Sequence, residues 1–264
     1  GKPPAVVGGV LRGGSTALEA HTSQYLSALL LAAPLAPEDT RIEVPLLNEA
    51  PYVTMTLHWM DRLGIRYEAA RDYRRFTVPG GQRYRPFAGA IPADFSSATF
   101  FMVAAAVTGS ELALCGLDFS DFQGDREVVT ILKAMGAGVE IAEDRITIRG
   151  KELSGGVFDL NAIPDALPAL AVAACFARGE TRLVNVPQAR LKETDRIKVM
   201  CGELKKMGAR VEETPDGLII QRSELRGANV RGHGDHRVVM ALSVAGLAAG
   251  YAMLLAFGGQ TLLS

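Results

Sequence analysis

The chain has 264 residues, room for one large domain or two medium ones, and 48% of them are hydrophobic, ample for packed cores. A formal net charge of −1 excludes the strong field that would draw the chain to nucleic acid or anionic lipid. Three widely spaced cysteines (Cys115, Cys175, Cys201) suit a reducing, cytoplasmic compartment better than a disulfide framework, and no Cys/His cluster has zinc-like spacing.

The opening Gly1-Lys2-Pro3-Pro4 has no initiator Met and no apolar core of a signal peptide, which is consistent with a processed or partial chain. Thr22-Ser23-Gln24 then opens a helical run to Ala33. A second helix, from about Leu57, is closed by Gly64, and a strand, turn and strand follow over Arg66 to Val78. The turn-rich stretch Gly80 to Ala90, with Gly80-Gly81, Pro86 and Gly89, marks a domain boundary. Asp94 opens the next helix, to Val107. A helix ending at Gly136 precedes strands over Val139 to Ile148, joined by the polar turn Glu143-Asp144. Asp165 opens a third run, to Ala177. The mixed-charge stretch Leu191 to Arg196 leads into a helix closed by Gly208, and strands follow over Val211 to Ile220 around Pro215-Asp216-Gly217. Asp235-His236-Arg237 opens a fourth run.

These elements repeat. Gly64, Gly136 and Gly208 are 72 residues apart, and Asp94, Asp165 and Asp235 are 71 and 70 apart. The unit reads strand, buried helix, strand, second helix, strand, strand: three full copies and the start of a fourth. The first helices, such as Phe100 to Ala106 and Leu170 to Phe176, are apolar nearly all round and so are expected to be buried. Val238 to Phe257 carries no charge and is about long enough to span a bilayer, but the repeat makes it a fourth buried helix followed by a strand.

The repeat has a chemical consequence. Each buried helix begins near Ser, Thr or Asp, and helix N-termini offer free amide donors and partial positive charge, which suits anions. Ser96 and Ser97 are read as ordinary caps. For Asp165 and Asp235 the cap and the site readings both stand. Lys192 to Arg196 is either a solvated helix start or a small-molecule site. Tyr52 is either a core aromatic or a ligand contact, and Arg237 could pair with Asp235.

Arg190-Leu191-Lys192-Glu193-Thr194-Asp195-Arg196 resembles the 5-enolpyruvylshikimate-3-phosphate synthase (3-phosphoshikimate 1-carboxyvinyltransferase) family. Ile163-Pro164-Asp165-Ala166, Gly234-Asp235-His236-Arg237, Gln123-Gly124-Asp125, Ser23 to Leu30 and Pro51-Tyr52 support the likeness in family order over nearly the whole chain. The resemblance implies an α+β fold of repeated β-α-β-α-β-β units, the inside-out α/β barrel of two domains hinged about a cleft. Residues 1–90 would be part of the first domain and 91–264 most of the second. It implies transfer of the enolpyruvyl group of phosphoenolpyruvate to the 5-hydroxyl of shikimate 3-phosphate, in aromatic amino acid biosynthesis, with no metal, cofactor, nucleic acid or membrane partner.

Roles follow from the same resemblance. Arg196 and Arg237 match arginines that hold phosphoenolpyruvate, a task suited to a guanidinium fork. Thr22 and Ser23 match donors to the shikimate phosphate, Gln24 contacts both ligands, and Tyr52 joins the substrate residues. Asp165 matches the carboxylate on the shikimate hydroxyls and is a candidate base. Lys192 matches a shikimate-site lysine that helps the hydroxyl ionise, and Glu193 a carboxylate that handles protons at the enolpyruvyl carbon. Asp195 is expected to brace a neighbouring arginine. Gln188, also taken as substrate-binding, stands where many members have asparagine or another residue. Glu49 falls where some members place a serine near the shikimate phosphate, an unfavourable position for an acid.

The family's opening and late lysine-bearing segments have no counterpart in the chain. A chain weakly active alone, or one needing a complementary chain, is therefore expected. Two other readings remain. Enolpyruvyl transfer to UDP-N-acetylglucosamine is disfavoured by Lys192 to Arg196. The other is a non-catalytic repeat module.

Overall fold

A computed structural model describes residues 6, 8–143 and 145–250, with the backbone of 254–257 and 260–261. It divides into two compact units, Gly1–Ala90 and Ile91–Ser264.

Unit 1 runs β1 (Gly14–Ala17), α1 (Ser23–Ala32), β2 (Thr40–Glu43), α2 (Ala50–Arg62), β3 (Glu68–Ala69) and β4 (Arg75–Val78). The sheet order is β1-β2-β4-β3, with β1 parallel to β2 and the other pairs antiparallel. In β2 the buried Thr40 and Ile42 alternate with the exposed Arg41 and Glu43, the period of a strand covered on one face. That face packs with Leu26 and Leu30 of α1, Val53, Leu57 and Met60 of α2, and Phe76 and Val78 of β4.

Unit 2 continues with α3 (Phe95–Thr108), β5 (Glu111–Cys115), α4 (Glu127–Ala134), β6 (Gly138–Ile141) and β7 (Arg145–Arg149). Then come β8 (Val157–Asp159), α5 (Leu167–Phe176), β9 (Glu180–Val184), α6 (Arg196–Lys206), β10 (Arg210–Thr214) and β11 (Gly217–Gln221). The unit closes with β12 (Asn229–Arg231), α7 (His236–Ala248), β13 (Leu254–Phe257) and β14 (Gln260–Thr261). The sheet β8-β9-β11-β10 repeats the order seen in unit 1. The sheet β5-β7-β6 has the same order without a leading strand. This corrects the expectation of three full copies: among the described residues no strand lies between β4 and α3. The stretch in its place carries Pro79, Pro86 and Pro92, which lack the amide a ladder needs.

The helix ends follow the glycine spacing. Gly64, Gly136 and Gly208 have φ of 78°, 108° and 92°, the left-handed region that stops a helix without a Cβ penalty. The uncharged run after Asp235 resolves into α7 and, in backbone, β13. Among the described residues no helix is long and apolar enough to cross a membrane. Asp144 of the Glu143-Asp144 turn lies outside the described residues.

Helix burial is more selective than composition suggested. In α5 every residue from Leu167 to Cys175 is buried, because α3, α6, α7 and the β9–β11 pair surround it. In α3, equally apolar, Phe101 is 60% exposed. Apolar composition permits burial on every face, but only the neighbours supply it. The helices α3, α5 and α7 pack against one another at the centre of unit 2, each starting near one of the spaced aspartates.

Candidate functional site

The densest charge cluster lies in unit 2, where three helix starts meet. Asp195 is the N-cap of α6: it accepts from Lys198 N at 3.0 Å and from Arg190 Nη1 at 2.8 Å. It thus braces an arginine and fixes the entry to α6, whose first residue is Arg196.

Arg196 is 1% exposed. It bridges three carboxylates: Nε and Nη2 to Asp235 at 2.7 and 3.3 Å, Nη1 to Asp165 at 2.7 Å, and Nη2 to Glu193 at 2.6 Å. Burial opposes the charge, but these partners together hold the guanidinium above its ordinary pKa. A buried arginine is tolerable only with such pairing.

Asp235 is fully buried. One of its oxygens caps α7, accepting from Arg237 N at 2.8 Å and Val238 N at 3.4 Å, while both reach Arg196. Asp235 is therefore cap and cluster member at once. Asp165 divides differently. It sits in the single turn Pro164–Ala166 before α5 and makes no cap. Instead it accepts from Arg196 Nη1, lies 3.0 Å from Arg237 Nη2 and 3.9 Å from Lys192 Nζ. Burial pushes the Asp165 pKa up, but Arg237, Lys192 and Arg196 outweigh it and hold the carboxyl below its usual value. The side chain of Arg237 thus pairs with Asp165 and not with Asp235.

Glu193 is the open member. Its side chain is 47% exposed, and its second oxygen lies 3.9 Å from His236 Nδ1. Three cations (Lys192, Arg196, Arg237) face three carboxylates (Asp165, Glu193, Asp235), so formal charge balances. Hydrogen bonding does not: Arg237 Nη1 is buried with no partner among the described residues. A buried cationic donor without an acceptor is costly, and an incoming oxyanion would satisfy it. Gln188 is buried just before this cluster. Its Nε2 donates to Asn161 O at 2.9 Å, bracing the segment that leads to Asp165, and its Oε1 has no donor among the described residues.

The remaining predicted residues lie in unit 1. Thr22 is the N-cap of α1. Thr22 Oγ, Ser23 N and Ser23 Oγ all donate to one oxygen of Glu49, at 3.1, 3.0 and 2.7 Å. Glu49 is 2% exposed, with a left-handed φ of 58°; it sits at the N-cap position of α2 without a side-chain cap hydrogen bond. Its carboxylate thus occupies the amide end of α1, as an anion would. Gln24 is exposed, and Tyr52 is half-buried in the first turn of α2. Among the described residues no group of His, Cys, Asp or Glu has the make-up of a metal site.

Sequence reasoning left Asp235 between a cap and a site residue and treated Glu49 as a misfit. The available signals were the 70-residue spacing for Asp235 and, for Glu49, only the acid itself.

The chain is similar to known proteins. The family EPSP synthase (3-phosphoshikimate 1-carboxyvinyltransferase) matches residues 1–255. A 3-phosphoshikimate 1-carboxyvinyltransferase of Ruminiclostridium cellulolyticum is 59% identical over 244 residues, covering 92% of this chain and 58% of that protein. One from Acetivibrio thermocellus is 58% identical over 249 residues, covering 94% of this chain and 59% of that protein. A solved structure of EPSP synthase from Acinetobacter baumannii aligns with a TM-score of 0.73 at 30% identity, covering 90% of this chain and 57% of that one. The chain thus spans a little under three fifths of the length of these relatives, and it shares their α+β, two-domain enolpyruvyl-transferase fold. Taken with its repeat and its Lys192-to-Arg196 motif, these matches place the chain in the EPSP synthase family.

Proposed function

We propose that this chain serves transfer of the enolpyruvyl group of phosphoenolpyruvate to the 5-hydroxyl of shikimate 3-phosphate, with release of phosphate. The observation that carries the reading is the buried, unpartnered Arg237 Nη1 beside the Asp165–Arg196–Glu193 cluster. An oxyanion of phosphoenolpyruvate is its natural acceptor, and Arg196 holds the frame around it. The hydroxyl oxygen loses its proton and bonds to C2 of phosphoenolpyruvate while a proton adds to C3. The C2–O bond to phosphate then breaks and a C3 proton leaves.

Glu193, the exposed carboxylate, is assigned the proton traffic at C3. Asp165, held ionised by its cations, suits orientation of the shikimate hydroxyls better than proton uptake, and Lys192 takes part in ionising the reacting hydroxyl. Gln188 supports the Asp165 segment. In unit 1, Thr22, Ser23, Gln24 and Tyr52 are assigned to shikimate 3-phosphate, with Glu49 yielding its place to the phosphate. Residues 1–90 form part of the first enolpyruvyl-transferase domain and 91–264 most of the second. The three free cysteines favour a cytoplasmic setting. Full turnover is proposed to need counterparts of the relatives' unmatched two fifths, in the same polypeptide or from a complementary chain.

Calorimetry with phosphoenolpyruvate, with and without shikimate 3-phosphate, tests the reading, alongside phosphate release. Phosphoenolpyruvate binding that R237Q weakens about 100-fold is expected. Affinity for neither substrate would favour a non-catalytic repeat module, and preference for UDP-N-acetylglucosamine would move the chain to the related transferases.

A further inference from the structure

A second buried carboxylate lies on α6, seven residues after Arg196 and hence two turns along the same face. Glu203 is 3% exposed. It accepts from Arg231 N at 3.0 Å, His233 Nε2 lies 2.7 Å from it, and Lys206 Nζ approaches at 2.7 and 2.8 Å. The Lys206 side chain is 47% exposed, so that contact is a surface pair within one helix. The other two bonds cross to the segment that leads into α7, the helix carrying Arg237.

That segment is a tight turn closed by Asp235 N to Gly232 O at 2.9 Å. Both central residues are left-handed, His233 at φ 52° and Gly234 at φ 74°. Glycine accepts that conformation freely; histidine does so at a cost and needs something to hold it. The turn is also closely packed, since a Cβ on Gly232 would lie 2.3 Å from Val239 Cγ2. The turn delivers Asp235, which grips Arg196, and then Arg237. Helix α6 therefore holds it at two points: Glu203 at its beginning and Arg196 at its end.

We infer that Glu203, through His233 and the Arg231 amide, is a positioning residue that sets where Arg237 points. This rests on the reading of Arg237 as the anion donor. Glu203 touches neither Arg237 nor any reacting atom. Burial pushes its pKa up, but the bonds from His233, Lys206 and the Arg231 amide outweigh burial and keep it ionised.

Three variants test the inference: E203Q keeps the shape without the charge, H233N tolerates the left-handed φ without reaching Glu203, and K206Q removes only the surface pair. Each is measured for phosphoenolpyruvate affinity, for hydrogen exchange at the amides of residues 235–238, and for melting temperature. E203Q and H233N are expected to weaken binding about tenfold and to speed exchange at those amides. The double variant should be no worse than either, because both break one link. K206Q should stay within about twofold on the same scale. A lower melting temperature with affinity and local exchange unchanged would make Glu203 merely structural and overturn the inference. Should E203Q not fold, H233N, on an exposed turn, carries the same test. If wild type binds no phosphoenolpyruvate but the exchange effect stands, the site reading fails and the clamp survives.

Discussion

The start of α1 in unit 1 and the meeting of α6 and α7 in unit 2 solve one problem in opposite ways. At α1, three donors converge on a single oxygen of Glu49, and the helix end is satisfied from within the chain. In unit 2, three carboxylates answer three cations, yet Arg237 Nη1 is left over. Balanced charge does not mean satisfied geometry. A guanidinium fork has five donors in fixed directions, and carboxylates arriving from three elements do not reach them all. In the proposed reading the leftover donor awaits an anion in unit 2, while unit 1 would first have to release its own.

The comparison breaks most severely at Arg196. Replacing it with alanine should leave Asp235 and Asp165 uncompensated and cost on the order of 3–5 kcal/mol in denaturant unfolding. A loss under about 1 kcal/mol would mean that water relieves the cluster and that Arg196 is not its hub. R237Q sharpens the contrast next. It should weaken phosphoenolpyruvate binding about 100-fold, near 2.7 kcal/mol, with little change in melting temperature. Unchanged affinity would remove the reason for placing the anion there.

E49S tests the other unit. Freeing the α1 donors should tighten binding of inorganic phosphate by about 1 kcal/mol, roughly fivefold. Weaker binding would show that Glu49 shapes the site more than it blocks it. The smallest effect is in pH dependence. The folded pKa of Asp165 lies below its unfolded value. Its contribution to stability is therefore full above the unfolded pKa, about 3.9, and is lost as pH falls through the lower folded pKa. D165N should flatten that acid limb; an equally steep limb would assign the dependence to other carboxylates.

Much of the fold was legible from spacing. Glycines at a 72-residue interval marked three helix ends, since left-handed backbone after a helix is a local demand that only the residue itself can meet. The Pro- and Gly-rich stretch at residues 80–90 was legible for the same reason. The missing strand before α3 was not, because the repeat argued for it and the prolines that forbid it lie in and beside the expected loop. Exposure of Phe101 was also beyond reach: it depends on whether another helix lies alongside. In the site, Lys192, Glu193, Arg196, Asp165 and Arg237 were identified by motif, and the structure brings them together. Their pairing was not readable. Arg237 was weighed against Asp235, two residues away in sequence, but it reaches Asp165 from another repeat.

The sequence by itself determined where helices start and stop, which residues carry charge, and that one unit recurs, because caps, glycine turns and periodicity are local. Only the tertiary structure decided that Asp235 both caps α7 and holds Arg196, that Glu49 closes the start of α1, and that one nitrogen of Arg237 lacks a partner among the described residues. Those outcomes depend on distances between segments 27 to 72 residues apart in the chain. Packing of the buried helices sets such distances, and no short stretch of sequence encodes them.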